Sequence, residues 1–424
     1  MKATDSGRPT VPSLWRDRDF VRLSVGQTAS QLGAQASQVT LPLIAVVALG
    51  AGATQLGALR AVQQAPILLL SLVVGAWVDR WRVRNVMVLA DAGRALALAV
   101  IPIAYFLHIL GVPVLVVVAF IVGVFTVCFD VAYQASPVRL VKRDQLAQGN
   151  SILESSRSAA QIGGPALGGG MVTLLSAPIA IVASAFCFTL SFLAISRIRR
   201  PESVPKHSER ATGMLRQIRD GLRLVVSDAS LRVVCLCSGL FQFSFAAFMT
   251  IYLLFLPRTL HLSGAALGLA LAALGPGSLV GSLLSAKLPR RFGYGVVLVS
   301  GAAIGDGAML CVPGLHGSGA VMIAALMAIN FVFGVLTQTV DVAVMAVRQA
   351  ITPAELQGRV AATMHFTGMG LTPLGSLLGG LLASQLGLRT SLLVAAVGML
   401  LSPLCMVLSP LARLGKALPT GPAK

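Results

Sequence analysis

From Phe20 to Leu411 the chain is a succession of apolar runs, each long enough to cross a bilayer, with only short gaps between them. Such a chain leaves no room for a large aqueous domain. Of its 424 residues, 56% are apolar and 11% are charged, and mean hydropathy is +0.83. A soluble domain carries about a quarter of its residues charged, so the class indicated is an all-α integral membrane protein. The first twenty residues include Lys2, Arg8, Arg16, Asp17, Arg18 and Asp19 and no apolar h-region, so the first span is expected to direct insertion. Cys128, Cys187, Cys235, Cys237, Cys311 and Cys405 all fall inside apolar runs, at spacings that suit neither a disulfide framework nor a metal site.

Charge clusters and Gly/Pro/Ser turns divide the chain into twelve spans: 20–48, 55–78, 85–110, 113–136, 149–175, 178–196, 229–256, 262–288, 293–313, 318–346, 357–386 and 388–411. With an even number of spans both termini share a side. All of the 33 Lys and Arg except Arg60, Arg258 and Arg389 then lie on that side or in the helix segments nearest it. Basic residues at span ends mark the cytoplasm. The net charge of +18 is therefore read as a topology signal and not as a nucleic-acid surface. The expected organisation is a cytoplasmic segment 1–19, a six-helix half 20–196, a linker 197–228, a second half 229–411 and a tail 412–424. In the linker, Met214, Ile218, Leu222 and Val225 oppose Arg216, Arg219 and Arg223 at helical spacing. This fits either a basic amphipathic helix on the inner leaflet or a solvated connector.

An internal repeat stands at an offset of 211. Gly123-Val-Phe-Thr-Val-Cys-Phe-Asp-Val-Ala132 aligns with Gly334-Val-Leu-Thr-Gln-Thr-Val-Asp-Val-Ala343, identical at six of ten positions. Asp79-Arg80 falls over Arg290-Arg291 at the same offset, and Pro165 pairs with Pro373 at 208. Two tandem six-span halves that start on the same side are related by a pseudo-two-fold axis along the membrane normal. In such parallel repeats the solute site lies where the halves meet.

Gly75-Ala-Trp-Val-Asp79-Arg80-Trp-Arg-Val-Arg84 follows the second span. It resembles the loop signature G-x-x-x-D-R-x-G-R-K of the major facilitator superfamily, with Arg82 and Val83 in place of Gly and Arg. The resemblance implies a gate built from Gly75, Asp79, Arg80 and Arg84. In the fifth span, Gly164-Pro165-x-x-Gly168-Gly169 resembles the superfamily's antiporter motif, with a looser mate at Pro373-Leu374-Gly375 and Gly379-Gly380. Proline removes a helix hydrogen bond and glycine removes bulk, so this span is expected to bend and lie against the opposite half. Trp15-Arg-Asp-Arg-Asp-Phe20, Gly26-Gln27-Thr28 and Asn150-Ser151 through Ser158 extend the similarity to the branch of enterobactin-exporter-like and macrolide-efflux-like drug:proton antiporters. Relatives often carry an Asp where this chain has Ala34, so that branch's preference for cationic drugs does not carry over.

Ionisable groups inside spans are costly and are functional candidates by default. They are Asp91 and Arg94 in the third span, Asp130 in the fourth, Glu154 and Arg157 in the fifth, Asp306 in the ninth, Asp341 in the tenth and His365 in the eleventh. The set from Asp91 to Arg157 reads either as a protonation-sensitive latch or as static salt bridges, and Asp306 lies near the midplane. For the cavity, Gln27, Gln31, Gln35 and Gln38 make an amide stripe on the first span at spacings of 4, 4 and 3. Asn330, Gly334, Gln338 and Asp341 repeat that spacing on the tenth. Phe241, Phe245, Phe248, Gln242 and Tyr252 come from the seventh. Amides and aromatic faces suit an uncharged or weakly charged, partly apolar molecule.

No phosphate-binding loop, H-E-x-x-H or G-x-S-x-G is present, so neither ATP-driven transport within this chain nor hydrolytic catalysis is expected, and no cofactor or metal is called for. The expectation is a monomeric secondary transporter of the cell membrane, exporting a small amphipathic compound such as an antibiotic or siderophore-like metabolite in exchange for protons. A proton-linked importer on the same fold, or a scaffold or receptor that moves nothing, are the rivals.

Overall fold

The computed structural model describes residues 17–78, 81–140, 146–175, 177–199, 223, 225–317, 319–352 and 357–416. Among these, the helices fall into twelve spans. The first half holds α1 (Arg18–Leu43), continued by a π-helical turn Ile44–Ala48, then α2 (Ala53–Val78), α3 (Val83–Phe106), α4 (Val112–Leu140), α5 (Leu146–Leu174) and α6 (Ala177–Ser196). The second half holds α7 (Ala229–Arg258), span 8 in two pieces, α8 (Gly264–Ala272) and α9 (Leu274–Ser285), and a short α10 (Leu288–Phe292). It continues with α11 (Tyr294–Met309), α12 (Ala320–Ile351), span 11 as α13 (Gln357–Gly370) and α14 (Thr372–Leu386), and α15 (Leu388–Val407). Ten spans meet both the length and the hydropathy for crossing a membrane, while α2 and α5, at 26 and 29 residues, have the length.

Local chemistry sets the ends and breaks. Asp17 caps α1, accepting from the amides of Asp19 at 3.0 Å and Phe20 at 3.4 Å. Span 11 breaks at Leu371 because Pro373 cannot donate to the carbonyl of Met369. The Thr372 hydroxyl takes that acceptor instead, at 2.6 Å. Helix α5, by contrast, runs unbroken through Pro165. The proline interrupts the helix in the second half and leaves it continuous in the first.

Span 1 packs on spans 5 and 6, span 2 on 4, and span 3 on 4 and 6. The second half repeats this with span 7 on 11 and 12, 8 on 10, and 9 on 10 and 12. The halves meet through spans 2 with 11 and 5 with 8, pairs that exchange under the two-fold.

The apolar core is divided along the membrane normal. At the end of the bundle remote from the start of α1, here the far end, one continuous core runs through both halves. It joins Leu41, Ile44, Leu56 and Ile101 to Phe248, Leu254, Leu267 and Leu392. At the near end the core is in two pieces, one per half: Leu23, Met87, Phe129 and Ile195 in the first, Leu231, Leu298, Val347 and Val360 in the second. Among the described residues the core is thus shared at the far end and divided at the near end.

Candidate translocation path

The contact at the far end is main chain against main chain. A Cβ on Gly57 of α2 would stand 2.8 Å from the carbonyl oxygen of Ser376 on span 11, and one on Gly380 would stand 2.6 Å from that of Ala53. Across the other interface a Cβ on Gly268 would stand 2.6 Å from the carbonyl of Pro165, and one on Gly169 would meet the carbonyl of Gly264. Each contact in one pair maps onto its counterpart in the other at the 211-residue offset. Polar links reinforce the same end. Arg258 Nη2 donates to the carbonyls of Gly50 at 3.2 Å and Ala51 at 2.6 Å, the Ala265 amide donates to Thr173 Oγ1 at 2.6 Å, and Gln64 Nε2 donates to Ser376 Oγ at 3.4 Å.

The glycines of the fifth-span motif therefore divide their work. Gly169 and Pro165 face the opposite half, while Gly164 and Gly168 seat span 5 on span 1, against Gln35, Ala36 and Thr40. Gly375 and Gly379 do the same for span 11 on span 7. The structural register pairs Gly164, Gly168 and Gly169 with Gly375, Gly379 and Gly380, so Pro165 stands opposite Ser376. The sequence pairing of Pro165 with Pro373 was three residues out of register.

On α1, Gln31 is half-buried, Gln35 is half-buried with its Cβ against Gly164 of span 5, and Gln38 is exposed. Gln27 is fully enclosed, and neither amide atom has a hydrogen-bond partner among the described residues. Phe241 and Phe245 of α7 stack with Phe333 of α12, at centroid separations of 5.5, 5.5 and 6.5 Å and interplanar angles of 10–22°. Phe333, 3% exposed, was not anticipated because its role arises only when two spans meet. Phe248 packs inward on Tyr252. Asn330, expected on the wall, is buried and donates to Tyr252 Oη and the Leu326 carbonyl, both at 2.9 Å. It braces spans 7 and 10 and does not face a solute. Gln338 is half-buried with its Cβ against Gly281 of α9.

Two embedded charges of the first half, Asp91 and Arg94, form a closed unit. Arg94 and Asp91, 1% and 0% exposed, are ion-paired on one face of α3. Asp91 also accepts from Ser191 Oγ at 2.5 Å and Ser30 Oγ at 3.1 Å, and Arg94 donates to Ser30 Oγ at 2.9 Å. The guanidinium lies between the rings of Phe129 and Phe188, at 4.4 and 4.3 Å. Spans 1, 3, 4 and 6 are thus pinned together. Asp130, half-buried, feels the charges of Arg94 and Arg157, the latter exposed.

The second half differs. Asp306 is 2% exposed with Oδ2 unpartnered, and its charge interacts with that of Asp341, which is exposed. Among the described residues neither carboxylate has an ion-pair partner. Of the expected gate, Gly75 lies in α2 and Arg84 donates to the carbonyl of Ile198. Asp79 and Arg80 lie outside the described residues, as do the side chains of Glu154 and His365 and the expected linker helix through Leu222.

Paired six-span halves in which spans 2 with 11 and 5 with 8 form the seam have the architecture of the major facilitator superfamily. Solved structures share it. The nucleoside transporter NupG superposes with a TM-score of 0.74 at 12% identity, covering 92% of this chain and 98% of that one. A bacterial homologue of the human lysosomal transporter Spinster, in an inward-facing and occupied conformation, gives 0.73 at 13% identity, covering 94% and 97%. The chain belongs to the transmembrane secretion effector family, which matches residues 13–420. It is similar to the multidrug efflux pump Tap of Mycobacterium tuberculosis (strain ATCC 25618 / H37Rv), 28% identical over 345 residues, 78% of this chain and 79% of that one. The protein is a membrane transporter and not an enzyme.

Proposed function

We propose that this transporter exports small amphipathic compounds from the cytoplasm in exchange for protons, by alternating access of one crevice between its halves. The observation that carries the mechanism is the divided core, continuous between the halves at the far end and split in two at the near end. The distribution of Lys and Arg puts the near end in the cytoplasm in this reading, and a core divided there supports an inward-open form ready to load. Export is supported by the likeness to Tap, a multidrug efflux pump. The wall of amides and stacked phenylalanines suits partly apolar solutes.

Asp341 and Asp306 are the coupling groups in this reading, because their charges interact and neither has an ion-pair partner among the described residues, while Asp91 is already held by Arg94, Ser30 and Ser191. Asp130 is the first half's counterpart of Asp341. The latch made of Gly75, Asp79, Arg80 and Arg84 closes the near end when the crevice faces outward. The site is the inner membrane of the cell, and one chain suffices.

Inverted membrane vesicles acidified inside test the whole reading. Fluorescent amphipaths should accumulate, accumulation should vanish when the pH gradient is collapsed, and D341N should lose gradient-driven uptake while retaining solute exchange at equal pH. Uptake into right-side-out vesicles instead would favour the importer, and movement in neither would favour the scaffold.

A further inference from the structure

Three basic side chains break the near-side bias, and two of them are accounted for. Arg258 holds the carbonyls of Gly50 and Ala51. Arg389 donates to the carbonyls of Pro313 at 2.7 Å and Leu315 at 3.1 Å and lies over Phe255. Both tie loops at the far rim. The third, Arg60, sits on α2 about two turns below that rim, at a depth where a charge is expensive.

The neighbours of α2 fix the direction in which Arg60 projects. Gly57 and Gln64 face span 11, and the Gln63 carbonyl and Pro66 face Gly123 of span 4. Leu69, 61% exposed, lies on the outer face. At 100° per residue Arg60 falls between the strips turned to spans 11 and 4 and opposite Leu69, so it points inward between the halves. It is half-buried, its Nε is enclosed without a hydrogen-bond partner, and among the described residues it makes no hydrogen bond or ion pair. A guanidinium does not shed its proton to escape this cost. Its planar fork matches a carboxylate or similar oxyanion.

We propose that Arg60 is the docking point, in the sealed roof of the crevice, for an anionic group carried by an otherwise apolar solute. This deepens the export reading by naming a solute class, and it rests on that reading for the solute's being transported. The amide and phenylalanine wall takes the uncharged body, and Arg60 takes the head.

The test uses the full chain in lipid nanodiscs, with 9-anthracenecarboxylate and its uncharged methyl ester as fluorescent probes. The wild type should bind the acid at least about tenfold more tightly than the ester, the worth of one charge-assisted hydrogen-bonded pair. In R60Q that ratio should collapse toward one, and R60K should fall between because an ammonium is a point charge and not a fork. A wild type that does not distinguish acid from ester overturns the proposal without recourse to variants, and so does an R60Q that still does. Chloride that displaces the acid from the wild type at constant ionic strength would assign the site to a small inorganic anion and overturn it too. Recovery of R60Q by neutralising Asp130 or Asp341 would show that the partner is internal, which equally overturns the proposal. Vesicle transport separates the two readings. Preference for the acid with movement of neither probe keeps the Arg60 site and removes export, whereas equal binding with transport of both keeps export and removes the Arg60 site.

Discussion

Arg94 shows how far a single residue was legible. Its spacing from Asp91 placed the pair on one helix face, because that relation is contained in the sequence. Ser30, Phe129, Phe188 and Ser191 come from three other spans, and only tertiary packing brings them to it. The same limit explains Asn330. The 4, 4, 3 spacing assigns it to a polar stripe but does not say that Tyr252 of span 7 will claim its amide. Removing one member of a buried pair strands the other, so R94M or D91L alone should each cost about 3–5 kcal/mol, and D91L/R94M together should cost less than either. Thermal unfolding of the three variants in one detergent checks this. Additive losses would mean that the pair is not a unit.

At the scale of helices, the twelve spans and their order were readable from hydropathy, and the duplication from the offset of 211. Contact between the copies was not readable, because glycine is common in membrane helices and its sequence spacing does not say which neighbour it meets. Within Gly168-Gly169-Gly170, the first seats span 5 on span 1, the second meets span 8, and the third has nothing within 4 Å of its added Cβ. Alanine should therefore act very differently at adjacent positions. G169A places a methyl group on the Gly264 carbonyl and 2.7 Å from Gly268 Cα, where no side chain can rotate away. It should shift the resting population away from the far-sealed form and lower export several-fold. G170A should leave export within about twofold of wild type. Thiol labelling of single cysteines at the two rims reads the population. Equal effects of G169A and G170A would contradict the assigned contact.

For the whole molecule, a transporter that alternates must break its far-end contacts once per cycle. Thr173 and Ala265 lie on opposite halves with Oγ1 2.6 Å from the amide nitrogen, close enough for a cysteine pair to bridge. Oxidised T173C/A265C should stop export and reduction should restore it, while solute entering from the cytoplasmic side should still bind to the oxidised protein. Undiminished flux through the oxidised pair would rule out opening at that end.

The closest approaches in the far seal are main chain on main chain at glycines, whereas Gln31, Phe241 and Phe245 are side-chain features of spans 1 and 7. In the proposed mechanism rocking rests on the first set and recognition on the second. In that mechanism a substitution at Gln31 retunes what is carried while the glycine contacts of spans 2 with 11 and 5 with 8 stay as they are, which leaves one machine free to acquire new cargo.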